Sequence, residues 1–270
     1  ATNALSSAFI RFNGDGTVHL SVGGIDMGQG SITALSQLAA EALELPFEAI
    51  HMARTTDSTF SPYEWQTVGS TTTWKVGNAI ADAARQAIEV LRDNAALAWR
   101  VSRDDVGYRR GECFLRLDPT RRLGLKALAM GYVFPDGHAV GRPAVAWGSY
   151  LPEGLTYADS KGQGKLAAEW TFGCQAAEVE VDLATGVVEV LHLATAIDVG
   201  QVIHPDLARG QIVGAMVQGM GGALMEEVVY SPKGVLRNNN FVDYKMPSPE
   251  DMPPRLSVTF LDTPTDDSAF

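Results

Sequence analysis

The clearest pattern in this chain lies over residues 176–198, where apolar and polar residues alternate along two successive runs. AAEVEVD and VVEVLHLATAID repeat with the two-residue period of a half-buried β-strand. Only Leu183 and the turn sequence Ala184-Thr185-Gly186 separate them, and a connection this short joins antiparallel strands. Any fold for this chain must therefore contain an antiparallel strand pair in its second half.

A second hairpin is predicted at the start of the chain, because AFIRF (8–12) and TVHLSV (17–22) flank the turn sequence NGDG. Shorter strands are predicted near 50–54 and over RLSVTFL at 255–261. Between about 100 and 172 the periodicity is weak, and we expect only a few short elements there.

Three helices are predicted from apolar residues at helical spacing. They run from about Ile32 to Leu45, from near Trp74 onward, and from Pro205 through MEEV. The third contains five glycines, which lower helix propensity, so we expect another segment to approach its backbone closely. Strands and helices mix without a regular βαβ alternation, which favours an α+β fold of mixed sheets and helices.

Charge and cysteine usage exclude several classes of protein. The formal net charge is −11 and there is no lysine or arginine run, which argues against nucleic acid or an anionic membrane surface as a partner. The two cysteines show neither CxxC nor CxxH spacing, which fits a reducing compartment. No apolar run approaches the roughly 18 residues of a membrane span, and the chain shows no secretory signal. A cytoplasmic location is expected.

The segment GGIDMGQG (23–30) places a glycine cluster directly before the first predicted helix. Its spacing matches neither the dinucleotide-binding GxGxxG nor the phosphate-binding GxxxxGK[ST], and no lysine follows it. Two interpretations remain open. The loop holds an anionic group through its backbone N–H groups, or its glycines only form a tight turn.

The segment TVGSTTT (67–73) places five hydroxyl residues and a glycine before the second predicted helix. One helix cap uses one hydroxyl, so more are present than capping requires. A third segment, VQGMGG (217–222), places Gln218 in the third predicted helix. A glutamine in the middle of a helix usually faces solvent, but the apolar neighbours of Gln218 favour a buried amide with a specific partner. Together the three segments suggest a large polar ligand that is held mainly by neutral donors.

Common catalytic signatures are missing from the sequence. It contains neither the HExxH zinc motif nor the GxSxG nucleophile motif. Neither cysteine has an evident activating partner in the sequence. The motifs therefore predict a protein that binds a large cofactor and lacks a complete catalytic set.

Five segments, taken in order, resemble the molybdenum hydroxylases, the family of xanthine dehydrogenase and aldehyde oxidase. They are GGIDMGQG, TVGSTTTWKVGNAI, AAEVEVDLATGVVEV, DVGQVIHPDLARGQIVGAMVQGMGG and VVYSPKGVLRNNNFVDYKMPSPEDMPP. The chain resembles the second molybdopterin-binding portion of the family's large subunit. The resemblance implies that residues 1–270 form one elongated molybdopterin-binding domain of two lobes, with a boundary near 100–170.

The resemblance also implies roles for the loops. Gly28 and Gln29 would contact a pterin dinucleotide, and Gln218 would act close to the molybdenum. The residues of the hydroxyl segment would bind the pterin and its phosphates beside the metal: Thr67, Val68, Gly69, Ser70, Thr71, Thr72 and Thr73. No protein side chain would ligate the metal directly. The implied cofactor is a molybdopterin dinucleotide with molybdenum, in the cytosine form usual in bacteria.

The sequence departs from the family in what it lacks. The family's catalytic glutamate lies in a Gly-Val-Gly-Glu motif, which is absent here and is expected beyond Phe270. The family's first molybdopterin-binding portion, its [2Fe–2S] modules and its FAD domain are absent too. The chain is therefore expected to be a split subunit or a fragment, with these parts as partner subunits or portions.

The predicted function is that of a molybdopterin-binding subunit whose enzyme uses water to hydroxylate an electron-poor carbon of an N-heterocycle, a purine or an aldehyde. Tyr63, Trp65 and Gln66 precede the hydroxyl segment and would line a pocket for a flat ring. An equal alternative is that Trp65 packs in the core. Three other functions stay open: a hydroxybenzoyl-CoA reductase-like subunit, a non-catalytic pterin-binding module, and a phosphate-binding transferase unrelated to molybdenum.

Overall fold

The computed structural model describes residues 4–168 and 170–261, and these two ranges form two separate compact units. The first unit contains these strands in chain order: β1 (Ser6–Phe12), β2 (Val18–Val22), β3 (Ile50–Met52), β4 (Val106–Arg109), β5 (Glu112–Leu115), β6 (Asp118–Gly124), β7 (Tyr132–Val133), β8 (Ala139–Val140) and β9 (Val145–Tyr150). Its helices are α1 (Ser31–Ala42), α2 (Thr72–Trp99) and α3 (Leu125–Leu128).

The main sheet of the first unit has the strand order β3-β2-β1-β9. Strand β1 pairs antiparallel with β2 and with β9, and β2 pairs parallel with β3. The hairpin predicted at the start of the chain is confirmed, with Ala8 opposite Val22 and Phe12 opposite Val18. Strands β4, β5 and β6 form a second antiparallel sheet, and β7 pairs with β8.

Helix α2 packs against this sheet with small residues at the contact. Ala79 and Ala83 are fully buried on the helix, and Gly148 of β9 lies directly against them. A Cβ atom at Gly148 would stand 2.1 Å from the carbonyl oxygen of Ala79, so no larger residue fits there. The helix thereby covers alternate residues of β1, including Ile10 and Phe12, whose side chains are fully buried.

Asn94, also on α2, joins the helix to the end of α3 and to the segment that follows α3. Its side-chain Nδ2 donates to the carbonyl oxygens of Leu128 and Arg142, each at 2.8 Å. Its Oδ1 accepts from the backbone N–H of Arg142 at 3.0 Å. The side chain is fully buried, so these bonds replace the ones that water would make in the unfolded chain.

The second unit is built from three strands and one helix within residues 170–261: β10 (Gly173–Val181), β11 (Val188–Asp198), α4 (Pro205–Leu224) and β12 (Arg255–Leu261). The predicted pair β10 and β11 is antiparallel, with a register shift between Glu178 and Val179. Strand β12 pairs parallel with β11. The α+β class is therefore confirmed, and each predicted strand and helix is present, although α1 ends at Ala42, three residues before its predicted end at Leu45.

Two expectations about the helices need correction. Helix α4 ends at Leu224 and does not continue through MEEV. The expected close approach of another segment is found at only one of its five glycines. A Cβ atom at Gly221 would meet Glu226 and Pro247, but at the other four glycines of this helix it would meet nothing within 4 Å among the described residues.

The described ranges contain no helix with the length and apolar character that a membrane crossing needs.

Candidate functional site

Asp26 organises the glycine loop between β2 and α1. Its Oδ1 accepts from the N–H groups of Gly28 at 2.9 Å and Gly30 at 3.4 Å, and its Oδ2 accepts from the N–H of Ile32 at 2.9 Å. These bonds hold the pKa of Asp26 below its usual value, and the bond from Ile32 has the largest effect. The sequence predicted that backbone N–H groups of this loop could bind an anionic ligand. In the structure, those of Gly28, Gly30 and Ile32 donate to the carboxylate of Asp26 in the same loop.

Gln29 closes the same loop from within. Its Nε2 donates to the carbonyl oxygen of Ile25 at 2.8 Å, and its Oε1 accepts from the N–H of Met27 at 2.6 Å. Gly28 has φ of 108°, which side chains of L-residues rarely tolerate, although there is open space around it. The loop is thus held by its own polar groups and presents Gly28 and Met27 at an exposed tip.

The hydroxyl segment forms the entry to α2. Thr71 occupies the N-cap position, but its hydroxyl donates to the carbonyl oxygen of Val68 at 2.9 Å and makes no capping bond. Gly69 and Ser70 before it have φ of 64° and 57°. A serine in the left-handed region is uncommon, and such strain is found mostly where function requires it. Capping therefore does not account for the hydroxyl cluster.

The structure brings the two loops of the first unit together. The backbone N–H of Ile25 donates to Oγ1 of Thr67 at 3.0 Å. A Cβ atom at Gly24 would stand 3.2 Å from Cγ2 of Thr72, which is buried. Residues 24–30 and 67–73 thus form one continuous surface, which we call the two-loop surface.

The residues proposed for the substrate lie just before this surface. Tyr63 is 54% exposed and Gln66 is also exposed. Trp65 is half-buried, so it is not a core residue, and its ring centroid lies 5.6 Å from Nζ of Lys75.

Gln218 lies in the second unit, on α4, and the expectation that it is buried is wrong. Met216 and Met220 are buried, whereas Gln218 is exposed. Residues two positions apart on a helix point in nearly opposite directions, so apolar neighbours in sequence do not place Gln218 on the buried face.

The donors of the two-loop surface suit an anionic group rich in heteroatoms. Helix α2 is 28 residues long and has no side-chain cap at its N-terminus, where the partial positive charge of the helix lies. Exposed Ser70 and half-buried Thr67, Thr71 and Thr73 surround that end. Such a set fits the phosphates and ring heteroatoms of a pterin dinucleotide. Within the described ranges, histidine, cysteine and acidic side chains form no cluster suited to hold a metal ion.

Residues 1–253 match the protein family described as the molybdopterin cofactor-binding domain. The chain belongs to this family. The resemblance drawn from the five sequence segments is therefore confirmed, and so is molybdopterin as the kind of cofactor that the domain binds.

The relatives include subunits of molybdenum enzymes. The xanthine dehydrogenase molybdenum-binding subunit of Escherichia coli O157:H7 is 30% identical over 98% of this chain and 34% of that protein. The nicotine 6-hydroxylase large subunit of Paenarthrobacter nicotinovorans is 29% identical over 96% of this chain and 30% of that protein. This molybdopterin-binding chain thus spans about a third of the length of either relative.

A solved structure gives the same result for the fold. The crystal structure of quinoline 2-oxidoreductase from Pseudomonas putida 86 matches 98% of this chain and 32% of that one, with a TM-score of 0.78 and 26% identity. Its match covers both described units.

Three residues that shape the site were not identified from the sequence: Asp26, and the pair Glu64 and Lys75, in which Nζ of Lys75 lies 2.9 Å from Oε1 of Glu64. An aspartate two residues before a glycine favours an Asx-turn, which was a usable signal for Asp26. For Lys75 the usable signal was its position on α2. It lies four residues before the buried Ala79, and residues four apart share one face of a helix, so this spacing places Lys75 on the buried face. No regular spacing connects Glu64 with Lys75.

Proposed function

We propose that the two-loop surface holds the pterin dinucleotide of a molybdenum-dependent oxidoreductase. The observation that carries this proposal is the hydrogen bond from Ile25 N–H to Thr67 Oγ1, which joins the glycine loop to the hydroxyl segment. In a molybdopterin cofactor-binding domain, this junction combines the uncapped end of α2 with the exposed tip at Gly28.

Residues of this chain would bind and orient the cofactor. The hydroxyls of Thr67, Ser70 and Thr73 would donate to its phosphates and ring heteroatoms, with the N-terminus of α2 favouring their negative charge. Thr71, whose hydroxyl donates to the carbonyl of Val68, would contact the cofactor and hold the turn that presents these donors. Gly28 and Gln29 would contact the pterin from the other loop. When bound, the molybdenum-pterin group supplies the two-electron redox chemistry. We further propose the cytosine form of the dinucleotide.

Other residues would serve the metal and the substrate. Gln218 would lie near the molybdenum, since its exposure leaves the amide free to meet a ligand. Tyr63, Trp65 and Gln66 would contact a flat substrate ring, for which the exposed ring of Tyr63 offers an apolar face. The catalytic base would be a glutamate beyond Phe270, outside the described residues.

The reaction we propose is hydroxylation of an electron-poor carbon of an N-heterocycle, a purine or an aldehyde, with oxygen from water. Support comes from relatives named for xanthine, nicotine and quinoline, all of which contain nitrogen heterocycles. These names favour hydroxylation over the reductive, hydroxybenzoyl-CoA type of reaction.

The same enzyme would need partners. Large apolar side chains are exposed in the second unit, among them Val181, Val187 and Phe241, and a first molybdopterin-binding portion would cover part of this surface. Two relatives are named as subunits. We propose a cytoplasmic complex with [2Fe–2S] and FAD subunits, without nucleic-acid or membrane binding, in keeping with the net charge of −11.

The test is to purify the full-length protein with its natural partners and to measure molybdenum, pterin and nucleotide per chain. Activity is then assayed with xanthine, quinoline, nicotine and an aromatic aldehyde in ¹⁸O-labelled water. We expect about one molybdenum and one pterin dinucleotide per chain, and a product that carries ¹⁸O. A double variant, Ser70→Ala with Thr71→Val, should lower the pterin content, while Thr33→Val on α1 should not.

Three results would contradict the proposal. A protein purified without pterin or metal would show that the surface binds something else. A loaded protein that transforms none of these compounds but reduces an aryl-CoA thioester would favour the reductive reaction. Pterin content unchanged in the Ser70/Thr71 double variant would place the cofactor elsewhere.

A further inference from the structure

Glu64 and Lys75 form a buried ion pair next to the two-loop surface. Nζ of Lys75 lies 2.9 Å from Oε1 of Glu64, and their side chains are only 1% and 3% exposed, respectively. Buried lysines and glutamates are rare in proteins because removing each charge from water is costly. The family assignment does not explain why this chain keeps such a pair here.

The pair joins the two ends of the hydroxyl segment. Glu64 precedes Thr67 by three residues, and Lys75 follows Thr73 by two. Every hydroxyl of the segment therefore lies between the paired residues.

Each paired residue belongs to a firmly held element. On either side of Glu64, the carbonyl of Tyr63 accepts from Ser7 N–H at 2.8 Å, and the N–H of Trp65 donates to the carbonyl of Leu5 at 3.1 Å. Lys75 is the fourth residue of α2, and its N–H donates to the carbonyl of Thr71 at 2.9 Å. The ion pair thus ties the segment that is bonded to the start of β1 to the first turn of α2.

The glycine loop packs against the same point. A Cβ atom at Gly23 would stand 2.7 Å from Cβ of Glu64 and 2.3 Å from the carbonyl oxygen of Pro62. Any side chain at Gly23 would displace Glu64. The pair therefore fixes the hydroxyl segment relative to the glycine loop as well as to α2.

The geometry is poor for stability alone. Oε2 of Glu64 is buried and has no hydrogen-bond partner among the described residues. The hydroxyl of Ser6, which faces Glu64 across an isolated β-bridge, has none either. An apolar pair of similar volume often stabilises a fold as well as a buried ion pair, and without orphaned oxygen atoms. What the ion pair adds is a fixed separation between two specific atoms.

We infer that Glu64 and Lys75 are positioning residues for the cofactor, an inference that rests on the proposed function. Their ion pair holds the ends of the hydroxyl segment together, so that Thr67, Ser70 and Thr71 keep the arrangement that the pterin dinucleotide meets. Without the pair the segment would sample more conformations, and binding would have to order it. Lys75 does not bind a phosphate itself, because its ammonium group is buried and engaged by Glu64.

The test uses the full-length protein with its partners and the variants Glu64→Gln, Lys75→Met, the apolar double variant Glu64→Met with Lys75→Met, and Lys75→Arg. The matched control is Arg85→Met, which removes an exposed ion pair with Asp82 on the same helix. Two quantities are measured for each protein: the melting temperature and the moles of pterin dinucleotide per mole of chain.

Each single neutral variant leaves one buried charge unpaired, so both should melt well below the wild type. The double variant should melt within about 5 °C of the wild type, yet carry about tenfold less pterin dinucleotide, because the segment is no longer held. Lys75→Arg keeps the charge and should retain more cofactor than Lys75→Met. The control should match the wild type in both measurements.

Two outcomes would overturn the inference while the proposed function stands. One is a double variant with wild-type stability and wild-type cofactor content. The other is a cofactor content that only follows the melting temperature across all variants, which would assign the pair a purely structural role. If the wild-type protein carries no pterin dinucleotide, the proposed function itself fails.

Discussion

Strands β1 and β10 carry similar alternating sequences, but their side chains meet different surroundings. In β1, Ala8, Ile10 and Phe12 are fully buried beneath the helices of the first unit. In β10, all nine residues are exposed. Among the described residues of the second unit, the buried apolar side chains are only those of Met216, Met220 and Pro253. Alternation predicts a strand with one apolar face. Whether that face is buried depends on other elements that pack against it.

The difference bears on function. The first unit supplies its own cover in α1 and α2, so it can hold the two-loop surface in a fixed geometry. The second unit leaves β10 and much of α4 exposed, and the chain spans about a third of the length of the two relatives described above. We therefore expect mutations to have different costs in the two units.

The largest effect is expected in the first unit, at Asn94. Asn94→Ala would leave the carbonyl groups of Leu128 and Arg142 and the N–H group of Arg142 without their partner, and should lower the free energy of unfolding by about 3 kcal/mol. Asn78→Ala is the control on the same helix, because Asn78 donates only to the carbonyl of Trp74 one turn away. Its cost should be about 0.5 kcal/mol. Equal costs in urea unfolding would contradict the account of Asn94.

The second prediction compares two valines directly. Val18→Ala in β2, where the side chain is fully buried, should cost about 2 kcal/mol in this chain and in the full-length protein. Val181→Ala in β10, where the side chain is 45% exposed, should cost about 0.5 kcal/mol in this chain. Its cost should rise in the full-length protein if other parts cover β10. An unchanged cost for Val181→Ala would show that the second unit stays open.

A smaller effect is expected from Asp26→Asn in the glycine loop. The substitution removes a charge-assisted acceptor at the N-terminus of α1 and should cost about 1 kcal/mol near neutral pH, less at high salt. Asp136→Asn is the control, since Asp136 accepts one backbone N–H, from His138, in a turn.

The pH dependence of Asp26 follows from its depressed pKa. The contribution is complete above the ordinary aspartate value of about 4 and is lost as the pH falls through the lower folded-state value. The stability difference between wild type and Asp26→Asn should therefore shrink on acidification. A difference that grows at low pH would contradict the hydrogen-bond assignment.

The smallest effect concerns reactivity without a change in stability. Burial raises the pKa of the Cys113 thiol in the first unit to about 12, whereas Cys174 on β10 is exposed. A thiol reagent should label Cys174 in the native chain and Cys113 only after unfolding. Cys174→Ser should abolish native labelling. Native labelling of Cys113 at a similar rate would show that the first unit is less closed than described.

Sequence patterns predicted those features that depend on local spacing. The turn NGDG and the alternation around it predicted the first hairpin. The hydroxyl segment predicted a helix start near Trp74, two residues after the observed start at Thr72. The burial of Gln218 was predicted wrongly, because chain neighbours such as Met216 and Val217 are not neighbours on a helix face.

Features that depend on tertiary contacts could not be predicted in this way. Glu64 and Lys75 lie in different elements, and their pairing requires the contact between β1, the glycine loop and α2. The junction of Ile25 with Thr67 joins residues 42 positions apart. The resemblance to the family assigned a binding role to the glycine loop and to the hydroxyl segment. The hydrogen bond that joins these two loops is known only from the fold.

The most direct test of the account is hydrogen–deuterium exchange on the natively purified protein, before and after removal of its cofactor. We expect peptides that cover 24–30 and 67–75 to exchange about tenfold faster without the cofactor. Peptides from β4 to β6, at 106–124, should exchange unchanged in the same samples. Equal exchange at 67–75 in the two states would contradict the claim that the two-loop surface holds the pterin dinucleotide.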